Sequence, residues 1–324
     1  LSFYAPEARY DIHAKIIYCS SVKYINVADA MLYPDSGKVV IEKNAKINTL
    51  ENAKIVANYI TQNFNIYDAT INIFGKKNYT GTGYVDYVDE TQKVQPIFLE
   101  NIGVDTTLQT YASGFIDDTS NFRLSPKFDY FCRFFLTSNK EDLTFKGSCR
   151  IKHDCDKVKP TWFNINAQID PENIYIPVDS AMTNEYDDML FAAINSSPDS
   201  LGIYSSFFTR QAGRKDQVVI NADGYLHYHK ESGEYRVSSK DKIQEQSFRG
   251  NYISLNTKSC KVYGEGTLDL GIDAGQIKIQ TGGNAIHNQI DNDAIFDLLM
   301  MVDFMIDENA MEKFAKEIIA NSTL

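Results

Sequence analysis

The stretch NAKINTLENAKIVAN, residues 44–58, contains one short pattern twice. Residues 44–47 (NAKI) return as residues 52–55, and apolar and polar side chains alternate in and around both copies. A period of two is typical of a half-buried strand, and eight residues make one short strand with its turn. The stretch therefore predicts a sheet that is built from repeated short strands.

The same alternation continues on both sides of this stretch and predicts strands within residues 11–19, 24–33, 38–47, 53–57 and 66–74. Turn-forming sequences separate several of them, for example PDSG at 34–37. Alanine recurs in or beside these segments, at Ala14, Ala30, Ala45, Ala53 and Ala69. We interpret the recurrence as a face where stacked layers approach closely, and chance recurrence of a common residue is the alternative.

The later parts of the chain follow other patterns. Residues 187–194 (DDMLFAAI) predict a short helix within a proline-rich stretch. Residues 224–229 and 234–237 alternate around a Ser-Gly turn and predict a hairpin. Residues 291–319 carry apolar side chains three and four positions apart, which predicts one amphipathic helix, or two with a break near Asp307.

These patterns together predict the fold class and the domains. The protein should be mostly β, with stacked antiparallel strands in an open β-jellyroll or β-solenoid-like arrangement and a C-terminal amphipathic helical segment. We predict a repetitive β-layer domain at 1–118, a second β-rich domain with an irregular, proline-rich middle at 119–290, and a helical segment at 291–324. The 20 tyrosines and 19 phenylalanines fit pleated, half-buried surfaces.

Charge and hydropathy exclude some classes of partner. The 324 residues carry a net charge of −11, whereas nucleic-acid binding depends on clustered Lys and Arg. No run of about eighteen apolar residues predicts a transmembrane helix. The first residues, LSFYAPEARYDIH, lack both an initiator Met and a signal-peptide pattern, so we expect a mature product or a piece of a longer polypeptide.

The cysteines do not fix the compartment. Their number is odd and too small for a disulfide scaffold: Cys19, Cys132, Cys149, Cys155 and Cys260. A bridge between Cys149 and Cys155 would close a small loop in an oxidising environment. We expect plain buried thiols, and the bridge is the alternative.

Signatures of common catalytic sites are absent from the sequence, including G-x-S-x-G, the P-loop, H-E-x-x-H and C-x-x-C. We therefore predict no enzyme activity, no catalytic residue, no cofactor and no metal site. His227 and His229 lie on one face of a predicted strand, where a surface ladder is the alternative to a metal pair. Carboxylates recur in pairs, at 89–90, 117–118, 187–188 and 170 with 172. Carboxylates that face each other across a groove are typical of a carbohydrate-active enzyme. The alternative is that these pairs lie in solvated turns.

Residues 35–73, DSGKVVIEKNAKINTLENAKIVANYITQNFNIYDATINI, resemble in their rhythm the repeats of the OstA-like family. That family includes periplasmic lipopolysaccharide-transport proteins and the N-terminal domain of the outer-membrane translocon. The likeness covers residues 24–89, with a fainter echo in 260–280, and implies an open β-jellyroll whose inner face passes lipid acyl chains between protomers. The helical end, the proline-broken middle and the length depart from this pattern. The Asn-, Lys- and Tyr-rich composition also resembles large envelope proteins of Bacteroidetes-like bacteria.

The expected function is a non-enzymatic module of the cell envelope, periplasmic or outer-envelope, that binds a lipid or an envelope protein. An apolar groove or an exposed edge strand would form the contact. Pairing of edge strands between copies of the chain would give an oligomer. Ile47, Ile55, Ile71 and Ile73 are the residues expected to line the groove. The alternatives are a carbohydrate-active enzyme on a β-helix or sandwich and a purely structural spacer.

Overall fold

The computed structural model describes residues 1–198, 202–272, 278–303 and 308–321. Strands make up 54% of the protein and helices 8%, which confirms the prediction of a mostly β protein. The chain divides into two compact units. Unit 1 comprises Leu1–His153, Pro160–Pro177 and Ala181–Met189, and unit 2 comprises Asp154–Lys159, Val178–Ser180 and Leu190–Leu324. The predicted boundaries after residues 118 and 290 fall inside unit 1 and unit 2, respectively.

The first fourteen strands are β1 (Glu7–Asp11), β2 (Ile16–Ser20), β3 (Ile25–Val27), β4 (Ala30–Tyr33), β5 (Val39–Ile41), β6 (Leu50–Ala57), β7 (Phe64–Gly75), β8 (Asn78–Val88), β9 (Val94–Val104), β10 (Thr110–Ile116), β11 (Arg123–Ser125), β12 (Phe128–Thr137), β13 (Thr144–Ile151) and β14 (Phe163–Gln168). Strands β1, β2 and β5 form a small antiparallel sheet. The large sheet runs β14-β13-β12-β10-β9-β8-β7-β6-β4-β3, with β11 beside β12, and it curls into a half barrel. Its strands lie almost in chain order, as in a meander.

The later elements are β15 (Ile176–Val178), β16 (Phe191–Ser196), β17 (Ile203–Thr209), β18 (Gln217–Asn221), β19 (Gly224–His229), β20 (Glu234–Ser238), β21 (Tyr252–Asn256), β22 (Lys261–Leu268), β23 (Lys278–Asn288) and β24 (Asp293–Asp303), with helices α1 (Lys240–Gln244) and α2 (Glu308–Asn321). Strands β19 to β24 lie side by side in chain order, and β17-β16-β18 form a separate sheet. The predicted hairpin is confirmed as β19 and β20, in which Tyr228 lies opposite Tyr235.

The core of unit 1 forms because the long strands place every second side chain inward. Aromatic side chains fill its middle. Phe145 of β13 lies 5.0 Å from Tyr130 of β12 and 5.6 Å from Tyr87 of β8, with both pairs of rings nearly perpendicular. Edge-to-face contacts of this kind are favourable beyond the area that they bury.

Three connections in unit 1 begin with the same short sequence, Asp-x-Thr. In each, one carboxylate oxygen accepts hydrogen bonds of 2.5–2.9 Å from both the backbone N–H and the hydroxyl of the Thr; the aspartates are Asp89, Asp105 and Asp117. Gln92 and Leu108 then take positive φ, which lets the chain reverse into the next strand. These aspartates therefore set the geometry of their turns.

The last strand corrects one prediction. Residues 293–303, expected to be helical, form β24 and pair with β23 along their whole length, so the helix is confined to α2. Apolar side chains occupy most of residues 294–302, a pattern that fits a helix and a strand alike. Pairing with β23 favours the strand, because it satisfies the backbone N–H and C=O groups of β23.

Residues 187–194 are likewise wrongly predicted as a helix. Their second half begins β16, which pairs with β17 and β18 on its two sides. Side chains on both faces of β16 are buried. The sequence of such a strand is a continuous apolar run, and a short run of this kind cannot be distinguished from a helix by its period.

Buried free thiols, the expected state of the cysteines, are found at Cys149 but not at Cys155, which bonds to Cys260 in unit 2. Cys149 lies on β13 with a free, fully buried thiol that points into the core of unit 1. Burial raises the pKa of this thiol well above its ordinary value.

The alanine repeat is only partly a packing feature. Ala53 and Ala69 are buried and lie opposite each other on β6 and β7. Ala14 and Ala45 are exposed in turns, where they contribute nothing to the packing of layers.

Candidate functional site

The four isoleucines expected to line a groove all lie in the core of unit 1. Ile55 and Ile71 are completely buried, and Ile47 and Ile73 are each 8% exposed. Ile55 lies opposite Ile66, and Ile71 lies opposite Leu50. All four predicted residues are therefore buried side chains of unit 1, and the binding of an acyl chain among them stays a prediction.

The acidic pairs of the sequence belong mostly to turns. Asp89 is 1% exposed, and Arg123 donates to its second oxygen at 3.1 Å. Burial raises the pKa of Asp89, but hydrogen bonds from Thr91, Lys93 and Arg123 outweigh burial and lower it. In Asp105 and Asp117 the threonine hydroxyl is the main cause of a lowered pKa. These three carboxylates therefore stabilise the conformation of their turns.

Other carboxylates line a depression of about 420 Å³ on unit 1, at one end of β7 and β8: Asp86, Glu141 and Asp142. The Tyr67 hydroxyl donates to Asp86 at 2.7 Å, and burial together with Asp86 raises the pKa of Tyr67 to about 12. Burial, and then Asp170 and Glu141, raise the pKa of Asp142. No motif had pointed to this depression.

The histidines stand apart from any metal-binding arrangement among the described residues, which contain no group of three or more His, Cys, Asp or Glu side chains that could hold an ion. His227 lies opposite Arg236, and His229 shares a 2.9 Å hydrogen bond with Ser232. His287 is 3% exposed, and its Nδ1 lies 2.9 Å from the hydroxyl of Ser205. Burial lowers the pKa of His287, although Asn292 and Asp293 oppose the change.

The feature that stands out is the edge strand β24. Among the described residues it pairs with β23 alone, at the end of its sheet. It is eleven residues long, whereas the other strands at sheet ends have three to seven residues. Edge strands normally avoid joining other chains by being short or by carrying Lys, Pro or a bulge. Residues 293–303 contain neither Lys nor Pro, and they pair with β23 without interruption.

The exposed side chains of β24 are mostly apolar. Leu299 is 81% exposed, and the others are Ile295, Met300, Met301 and Val302, with exposures of 45–64%. Ala294, Phe296 and Leu298 are half-buried on the inner face, so the first half of the strand covers the core. From Leu299 onward both faces are open. Contiguous exposed apolar surface of this kind marks an interaction site.

Glycines of β23 explain why Leu299 is so exposed. Gly282 lies opposite Leu299, and Gly283 lies opposite Leu298. Gly283 has a φ of 149°, and a Cβ there would lie 2.1 Å from the carbonyl oxygen of Asp297. A side chain at Gly283 is therefore excluded, and Gly282, which lies opposite Leu299, has no side chain to cover it.

Helix α2 follows β24 in unit 2 and also has exposed apolar side chains. Met311, Phe314 and Ile319 are 57–73% exposed. Among the described residues no helix has the length and apolarity needed to cross a bilayer.

Sequence reasoning missed β24 because its apolar run fits a helix. The signal that would have found it is Asp291-Asn292, a turn sequence between two runs of similar length. Asn292 has a φ of 54°, a conformation that Asn adopts readily in hairpin turns.

No family model, curated protein or solved structure matches this chain. The OstA-like resemblance therefore stays a prediction.

Proposed function

We propose that this chain is a non-enzymatic, β-rich module of the cell envelope that binds a partner protein along β24. The observation that carries the proposal is an eleven-residue edge strand with Leu299 81% exposed. An added strand from the partner would satisfy the outward N–H and C=O groups of β24, and its side chains would cover the apolar ones.

The disulfide supports an envelope location. Cys155 and Cys260 form a bridge in unit 2, and bridges persist in oxidising compartments such as the periplasm or the cell surface. A lipid at the buried isoleucines is the less favoured ligand, because it would have to displace side chains that already pack together.

The test is a binding titration with an extended peptide. The probe is a fluorescent peptide with the sequence of residues 293–303 and added lysines for solubility, and its anisotropy is followed as protein is added. Leu299→Lys should weaken binding at least about tenfold, because a charge on the edge strand opposes pairing. Phe248→Lys, which changes a 49% exposed side chain outside β24, should leave binding unchanged.

The result is read with the mass of the protein in solution. If the protein is monomeric and the peptide fails to bind, or binds both variants equally, the proposal is wrong. A dimer whose own β24 excludes the peptide would agree with it, since the edge would then be occupied.

A further inference from the structure

We propose that the partner at β24 is a second copy of this chain, joined as an antiparallel pair of β24 strands around a twofold axis at Leu299. The inference rests on the proposed function and names its partner. In this arrangement the two sheets of the two copies become one continuous sheet.

The charges of β24 select this register. With the axis at Leu299, Asp297 faces Met301 of the second copy and Asp303 faces Ile295, so no carboxylate faces another. A shift of the axis to Leu298 places Asp293 against Asp303, and a shift to Met300 places Asp297 against Asp303. Like charges directly opposite each other destabilise a pair of strands, so both neighbouring registers are disfavoured.

The apolar side chains match in the same register. On the outer face Leu299 meets Leu299 of the second copy, beside the bare glycine Gly282. On the other face Phe296 faces Val302, and Leu298 faces Met300. Leu299, the most exposed side chain of β24, therefore gains a cross-strand neighbour in the pair that Gly282 of its own sheet does not provide.

The strand pair would bury part of this exposed apolar surface. Five large apolar side chains of β24 are 45–81% exposed. At roughly 100 Å² each they supply roughly 500 Å² per copy, against roughly 800 Å² in a standard interface, and hydrogen bonds between the two strands add to this contact.

The experiment combines mass measurement with cysteine crosslinking. Multi-angle light scattering of the oxidised full chain should give twice the chain mass of 36.7 kDa, and Leu299→Lys should weaken the dimer at least 100-fold. Leu299→Cys should crosslink spontaneously in air, because facing residues at the axis lie about 4.5–5.5 Å apart between Cα atoms, within disulfide range.

Two matched variants test the register. Met301→Cys and Ile295→Cys change exposed residues of the same face, but their equivalents in the two copies would lie about 14 Å and about 27 Å apart. Neither should crosslink to itself. The unmodified chain controls for its own free thiols Cys19, Cys132 and Cys149.

The outcomes separate this inference from the proposed function. A dimer with crosslinking at Leu299→Cys alone supports the inference. A monomer at about 100 μM, or crosslinking that is as efficient at Met301→Cys, overturns it. If that monomer still binds the β24 peptide in a Leu299-dependent manner, the proposed function stands and only the pairing of two whole copies is wrong.

Discussion

Replacing Ile71 by alanine should lower the free energy of unfolding of unit 1 by about 3–5 kcal/mol. Ile71 is fully buried on β7, between Leu50 on one neighbouring strand and Gly81 on the other. Gly81 has no side chain to refill the space, and a Cβ there would lie 2.6 Å from the carbonyl oxygen of Thr70. The loss should therefore fall in the upper part of the range for such substitutions. Ile71→Asp should abolish folding of unit 1, because the buried charge has no partner there.

Fluorescence of the single tryptophan makes the measurement specific to unit 1. Trp162 belongs to this unit, and its ring lies 4.7 Å from that of Phe131. For a unit of this size the midpoint of thermal unfolding should fall by roughly 10 °C, at about 2–4 °C per kcal/mol. Phe74→Ala, which removes a 67% exposed side chain from the same strand, is the control and should change stability by less than about 0.5 kcal/mol.

The contrary result is equally clear. If Ile71→Ala costs less than about 1 kcal/mol, and if it also releases an acyl lipid that co-purifies with the unmodified chain, the isoleucines line an open groove. The interpretation of these residues as a filled core would then be wrong.

Three further predictions concern the bridge and the titrating groups. Cys260→Ser should destabilise unit 2 by up to about 4–5 kcal/mol in calorimetry, because the bridge joins residues 105 apart, whereas Cys132→Ser should have little effect. Since burial lowers the pKa of His287, unit 2 should lose stability as the pH falls below about 6.5, and His287→Gln should flatten that slope; an unchanged slope would exclude His287 as its source. Asp89→Ala should cost unit 1 about 2 kcal/mol at neutral pH and reduce its loss of stability below about pH 4, since the pKa of Asp89 is lowered in the fold; equal acid denaturation curves would contradict this.

The β fold could be predicted because alternation is a local property of the sequence. Strand β7 buries one face only, so its sequence records which side chains point inward. The hairpin of β19 and β20 was predicted for the same reason, with its turn residues between two alternating runs. These elements needed no knowledge of distant parts of the chain.

The errors arose where distant residues decide the structure. Strand β24 depends on the unpaired edge of β23, and β16 depends on partners on both sides, so neither sequence records its own pairing. The partner of Cys155 lies 105 residues away, a distance that cysteine spacing cannot reveal. The candidate site could not be predicted for the same reason. Whether a strand lies at the edge of a sheet depends on the absence of a second neighbouring strand, which the strand's own sequence does not show.

The Asp-x-Thr turns have a consequence for the order of folding. Each aspartate finds most of its hydrogen-bond donors within four residues along the chain, as Asp105 does with Thr107 and Gln109. Such turns can form before any long-range contact, so the strands that they join meet at a small loss of chain entropy. The region from β8 to β10 should therefore acquire protection from hydrogen exchange early in refolding, as a nucleus onto which the rest of the sheet is added.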